Sequence, residues 1–126
     1  MKIQIETIPH DKHRYPTCGD WWYAADGTLQ IRVSALGNED YEALVALHEL
    51  VEVLLCKKRG ITTEAVDAFD KAFEAARAPG NEDEPGDDPK APYRKEHFFA
   101  TNIEALMSAE LGVNWQEYEA RLNELP

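Results

Sequence analysis

The sequence predicts an α+β domain, with a small antiparallel sheet of about three strands packed on three to four helices. Two patterns carry that expectation. Residues 2–34 hold short runs of period-two alternation around an Asp-Gly turn, and from Gly37 onward the spacing of apolar residues becomes helical. Length agrees: 126 residues fit a single domain, 1–126, and are too few for two ordinary ones.

Each element has its own signal. Lys2-Ile3-Gln4-Ile5-Glu6-Thr7-Ile8 alternates apolar with polar, as a half-buried strand does, and Pro9 ends it. Residues 10–19 are polar and interrupted by Pro16 and Gly19, which reads as a loop. Trp21-Trp22-Tyr23 and the alternating Leu29, Ile31 and Val33 flank Asp26-Gly27, a pair suited to a hairpin turn with positive φ at both positions. Asn38 can cap a helix whose first turns hold Glu39, Asp40 and Glu42. That helix should run to Lys57-Lys58-Arg59, where cations meet its negative end, and stop at Gly60. Thr62 or Thr63 opens a second helix with an apolar stripe of Val66, Phe69 and Phe73. Residues 79–92 contain four prolines and five acids, so an acidic, mobile, solvated loop is expected there. Pro92 suits the first turn of a third helix reaching Gly112, and a short fourth helix spans Trp115–Leu122. Phe99, Ile103 and Leu106, with Trp21, Trp22 and Trp115, are expected in the core.

Composition narrows the partners. With 24 Asp and Glu against 13 Lys and Arg, the net charge is −11, which argues against nucleic acid or an anionic membrane surface as a partner. No apolar run approaches the ~20 residues that span a bilayer. The start, Met1-Lys2-Ile3-Gln4, shows no signal-peptide core, and Cys18 and Cys56 make no disulfide framework, so a cytoplasmic location is expected.

The sharpest chemical feature is His48-Glu49-Leu50-Val51-Glu52. At about 100° per residue, His48 and Glu52 sit one turn apart on one helix face with Glu49 beside them. Tyr41, Val45 and Cys56 share that arc, no Lys or Arg does, and the rest of the circumference is aliphatic. Such a helix is expected to lie buried in the middle of the domain. Two carboxylates and an imidazole without a cation are costly to bury unless something positive joins them, and a divalent metal would do so. The spacing differs by one residue from His-Glu-x-x-His, in which two imidazoles hold zinc and the Glu activates water. Here Glu52 stands at the second ligand position. A third ligand should come from the third helix, where His97, Thr101, Glu104 and Ser108 form one polar stripe. His97 and Glu104 are seven residues apart, roughly 10 Å along the axis, so one is expected to bind the ion and the other to take an outer role. Thr101 and Tyr41 are further candidates for that outer role. His10, His13 and Cys18 are also ligand types, though set in a polar loop.

The strand Gly27-Thr28-Leu29-Gln30-Ile31-Arg32-Val33 followed by the helix carrying His48-Glu49-Leu50-Val51-Glu52 resembles the core of the zincin-type metallopeptidases. That resemblance implies an edge strand beside a substrate cleft, directly preceding the metal helix. His97-Phe98-Phe99-Ala100-Thr101-Asn102 is similar in spacing to the third-ligand helix of phage-repressor-cleaving peptidases, with His97 where that family has Glu. Ile103-Glu104-Ala105 is similar to the Asn-Glu-Ala segment of the thermolysin-like branch, which nominates Glu104 instead. The chain as a whole also resembles small phage or prophage proteins.

Three function classes follow. The first is a zinc-dependent hydrolase or peptidase, or more broadly a divalent-metal-binding protein. In it His48, Glu52 and His97 hold the ion, Glu49 is the general base, and a peptide pairs with the strand at 28–34 or a small molecule binds. The second is a magnesium-dependent nucleoside triphosphate pyrophosphatase, because Glu49-x-x-Glu52 followed by Asp67-x-x-Asp70 is similar to the paired acidic motifs of that all-helical family. The third is a non-enzymatic acidic phage protein that binds a basic host factor.

Overall fold

The computed structural model describes residues 1–126 and has the α+β architecture, a three-stranded sheet with four helices. The strands are β1 (Ile3–Ile8), β2 (Gly19–Tyr23) and β3 (Leu29–Ser34); the helices are α1 (Glu39–Lys58), α2 (Thr63–Ala75), α3 (Arg94–Glu110) and α4 (Trp115–Asn123). Short 3-10 turns occupy His10–Lys12 and Pro85–Asp87. No helix is long and apolar enough to cross a membrane.

The sheet is mixed rather than wholly antiparallel. Its order is β1-β3-β2, with β2 antiparallel and β1 parallel to β3. A ten-residue connection holding Pro9 and Pro16 separates β1 from β2, too long for a tight hairpin and long enough to step over one strand. β3 is therefore the central strand, and both its edges are occupied. The expected peptide-pairing edge at residues 28–34 does not exist; the free edges belong to β1 and β2. The β2–β3 turn also differs in detail. Gly27 has φ +86° but Asp26 stays at negative φ, and the bond from Gly27 N–H to the Ala24 carbonyl gives a three-residue loop with glycine at its left-handed position. Asp26 contributes through its carboxylate, which accepts from the Thr28 N–H at 2.9 Å.

Register sorts the side chains. Trp21 lies opposite Ile31 on the inner face with Leu29 and Val33, while Trp22 lies opposite Gln30 on the outer face. Trp22 is half-buried between the guanidinium groups of Arg14 and Arg32 rather than in the core. β1 hangs on the sheet edge with Ile3 and Ile5 exposed, so it covers little.

The helix ends follow the sequence closely. The Asn38 side chain accepts from the Tyr41 N–H, Thr62 caps α2, Asn114 caps α4, and Gly60 and Gly112 take positive φ after α1 and α3. α3 begins at Arg94, so Pro92 lies in the preceding turn and not inside the helix. α1 buries the polar arc expected at the site, whereas what α3 buries is the reverse of expectation. α1 packs on the sheet and on α3 through Leu44, Val45, His48, Glu49, Glu52, Val53 and Cys56, leaving Ala43 and Leu54 exposed and Leu47, Leu50 and Val51 half-covered. α3 buries Glu96, His97, Ala100, Glu104 and Ser108, while Phe98, Phe99 and Leu106 face outward and Ile103 is half-buried. α1 thus lies between the sheet and α3, burying aliphatic residues as well as a polar stripe that meets the polar stripe of α3, while the large apolar residues of α3 lie outside.

Candidate metal centre

The α1 and α3 stripes converge on three atoms. His48 Nε2 and His97 Nδ1 lie 3.1 Å apart, and Glu52 Oε2 lies 3.1 Å from the first and 3.0 Å from the second. His48 and Glu52 are one α1 turn apart, so the helix itself pairs them. His97 comes from α3, which crosses at the same level.

Each member of the trio is held from behind. His48 Nδ1 donates to Glu104 Oε1 at 2.8 Å, and the Tyr118 hydroxyl of α4 donates to the other oxygen of Glu104. Glu52 Oε1 accepts from the Trp21 indole N–H at 3.1 Å. His97 Nε2 lies 2.9 Å from Glu84 Oε2 and 3.3 Å from Asp87 Oδ1. Neither oxygen lies along its N–H direction, so this buried nitrogen has anionic neighbours but no aligned hydrogen bond. Both carboxylates belong to the acidic proline-rich segment, and Gly86 between them lies flat on the imidazole. A Cβ there would come 2.3 Å from the ring, so only glycine fits. Part of residues 79–92 is therefore packed against the core, with Gly86 and Ala91 buried.

Charge governs protonation. Burial alone would lower the His48 pKa, but hydrogen bonds to Glu104 and Glu52 outweigh it and hold the ring well above the usual imidazole range. His97 behaves likewise, with burial opposed by Asp87, Glu52 and Glu84. Glu52 goes the other way: burial would raise it, yet the two imidazoles hold it at about 2. Glu49 stands apart. Its carboxyl is 9% exposed, no protein group hydrogen-bonds it, and burial together with Glu52 pushes its pKa well above the carboxylate range. It rests on the backbone of Gly19 in β2, where a Cβ would meet its Oε1 at 2.5 Å.

Glu49, the trio, Tyr15, Trp21 and Tyr93 line one cavity of about 280 Å³. Asp70 closes its far wall, accepting from the Tyr15 and Tyr93 hydroxyls, and burial raises it to about 7 against those two hydrogen bonds.

Of the residues expected at the site, His48, Glu52 and His97 come together, Glu49 sits beside them, and Glu104 occupies an outer position on His48. The two remaining outer candidates do not reach the trio. The Thr101 hydroxyl donates to the carbonyl of His97, and Tyr41 stacks on Tyr118 with ring centres 5.2 Å apart. His10 and His13 share the Ser34 hydroxyl and do not group with Cys18. The four carboxylates of the magnesium alternative, Glu49, Glu52, Asp67 and Asp70, line the same cavity, with Asp67 paired to Arg14 and Asp70 to two tyrosines. Sequence reasoning missed Trp21 as a partner of Glu52, Tyr118 behind Glu104, the Glu84–Asp87 strap, and Gly19 and Gly86. None of these carries a local spacing signal, since each acts on a residue far away in the chain. No family model, no curated protein and no solved structure matches the chain.

Proposed function

We propose that this protein binds one divalent cation, zinc in first place, through His48, Glu52 and His97, and that it is a metal-dependent hydrolase with Glu49 as its general base. One observation carries the reading: three ligand-type atoms from two helices converge within 3.1 Å, and each parent side chain has further neighbours on its other side. Ligands at 2.0–2.1 Å around a tetrahedral ion stand about 3.3 Å apart, so small shifts of these side chains admit zinc. The carboxylate behind His48 is the kind of outer partner that fixes the tautomer and orientation of a ligating imidazole.

Zinc in such a site supplies Lewis acidity and brings water into a range where a neighbouring base can deprotonate it. Glu49 is placed for that task. Its carboxyl faces the cavity without a competing donor. It would take the proton of the attacking water at a carboxyl oxygen and hand it to the leaving group. Glu104 and Tyr118 keep His48 in register, and Gly86 keeps His97 in place.

Metal analysis of untagged protein tests the first half. Wild type should hold about one zinc per chain, and His48→Ala and His97→Ala should hold almost none; equal, negligible metal in all three ends the proposal. Glu49→Gln tests the second half. It should retain metal and lose at least a hundredfold in hydrolytic turnover, the scale of a missing general base.

A further inference from the structure

We infer that the cavity beside the trio selects a cationic substrate, one that presents an ammonium or guanidinium as on a lysine or arginine side chain. This rests on the metal-site reading for where the reaction occurs, but its own support is the charge of the walls. Glu49, Asp70, Glu82, Asp83 and Glu84 all line the cavity. The one Lys or Arg that lines it, Arg77, is consumed. Its guanidinium pairs with both oxygens of Glu74 and donates to the carbonyls of Asn81 and Asp83. That leaves no free Lys or Arg to receive a phosphate or carboxylate. A divalent ion would only offset Glu52 and one further acid, so the loaded site stays negative.

Two features fix the acids at the cavity. Arg77 donates to the backbone carbonyls of Asn81 and Asp83, which leaves the Asp83 carboxylate free, and the Asn123 side chain donates to Glu82 at 3.1 Å. Deeper in, Glu49 is nine-tenths buried, faces the cavity and has no hydrogen-bond partner in the protein. A buried polar group of this kind is costly until a ligand pairs with it. The side walls are Tyr15, Trp21 and Tyr93, surfaces that favour cations and the aliphatic stem of a long basic side chain.

Three blocked tripeptides with Lys, norleucine or Glu at the centre separate charge from shape. Their binding to the zinc-loaded protein, and to the His48→Ala/His97→Ala variant, can be measured by calorimetry. The lysine peptide should bind at least tenfold more tightly than the norleucine peptide in both proteins, with the glutamate peptide weakest. Glu82→Gln/Asp83→Asn, which leaves the trio untouched, should cut the Lys-to-norleucine ratio severalfold, and Glu117→Gln/Glu119→Gln on α4 should not. A ratio near one, a preference for glutamate, binding of none of the three, or equal effects of the two double variants overturns the inference. Zinc content is read separately, so loss of metal with an intact lysine preference would sink the metal reading alone.

Discussion

At the residue scale, the centre is a set of individually costly side chains that make sense only together. A buried imidazole, a buried carboxylate and a second imidazole would each be unfavourable alone, and their mutual contacts offset the cost. Glu104 is the residue through which this is most easily tested, because it holds His48 at Nδ1, away from the three convergent atoms. Glu104→Gln and Tyr118→Phe should leave the fold intact and weaken zinc binding by about ten- to a hundredfold in a competitive chelator titration, the usual cost of losing an outer partner. Asp70 gives a pH test. Its folded pKa of about 7 exceeds the ordinary value of 3.8, so the folded state holds the proton more tightly. Stability from this group is full below about pH 4 and is lost as pH rises to about 7. In metal-free protein, denaturant midpoints across that window should fall more steeply for wild type than for Asp70→Asn, by on the order of 1–3 kcal/mol.

At the element scale, α3 places polar residues inward and large apolar residues outward, against the usual arrangement, while α1 buries Leu44, Val45 and Val53 together with His48, Glu49 and Glu52. Periodicity located both helices and their caps, because capping and helical spacing are local properties. It could not say which arc faces inward, because both helices carry two contrasting arcs and either could be buried. The polar arcs are inside because they bind one another across the α1–α3 contact; the sheet is covered by Leu44 and Val53, with Leu29, Ile31 and Val33 opposite. A substitution pair checks the orientation. Phe98→Ser, at a residue 67% exposed, should shift stability by no more than about 0.5 kcal/mol. Val53→Ala, fully buried on the same pair of helices, should cost about 1–3 kcal/mol by thermal or denaturant unfolding.

At the scale of the whole molecule, the proposed metal site would couple metal, protons and folding in one equilibrium. His48 and His97 with raised pKa values stabilise the metal-free fold below about pH 6.5, and that contribution is lost as pH rises through their folded values. Metal must displace those protons, so zinc affinity should rise with pH by up to about a hundredfold per unit while both rings are protonated. Free zinc at a hundred times its Kd should add about 2.7 kcal/mol to stability, seen as a raised Tm that a chelator reverses. The α+β class, the four helices with their caps, a hairpin at Asp26-Gly27 and the His48–Glu52 pair were legible in the residues alone. Each depends on residues within about one turn or one hairpin of each other, where spacing translates directly into geometry. Only the tertiary structure decided that β3 is central, that Glu104 backs His48 while His97 joins the trio, and that the acidic strap closes on His97 through Gly86. Those are contacts between residues 11 to 56 positions apart or between elements that could pack in several ways, and chain topology rather than local preference chooses among them.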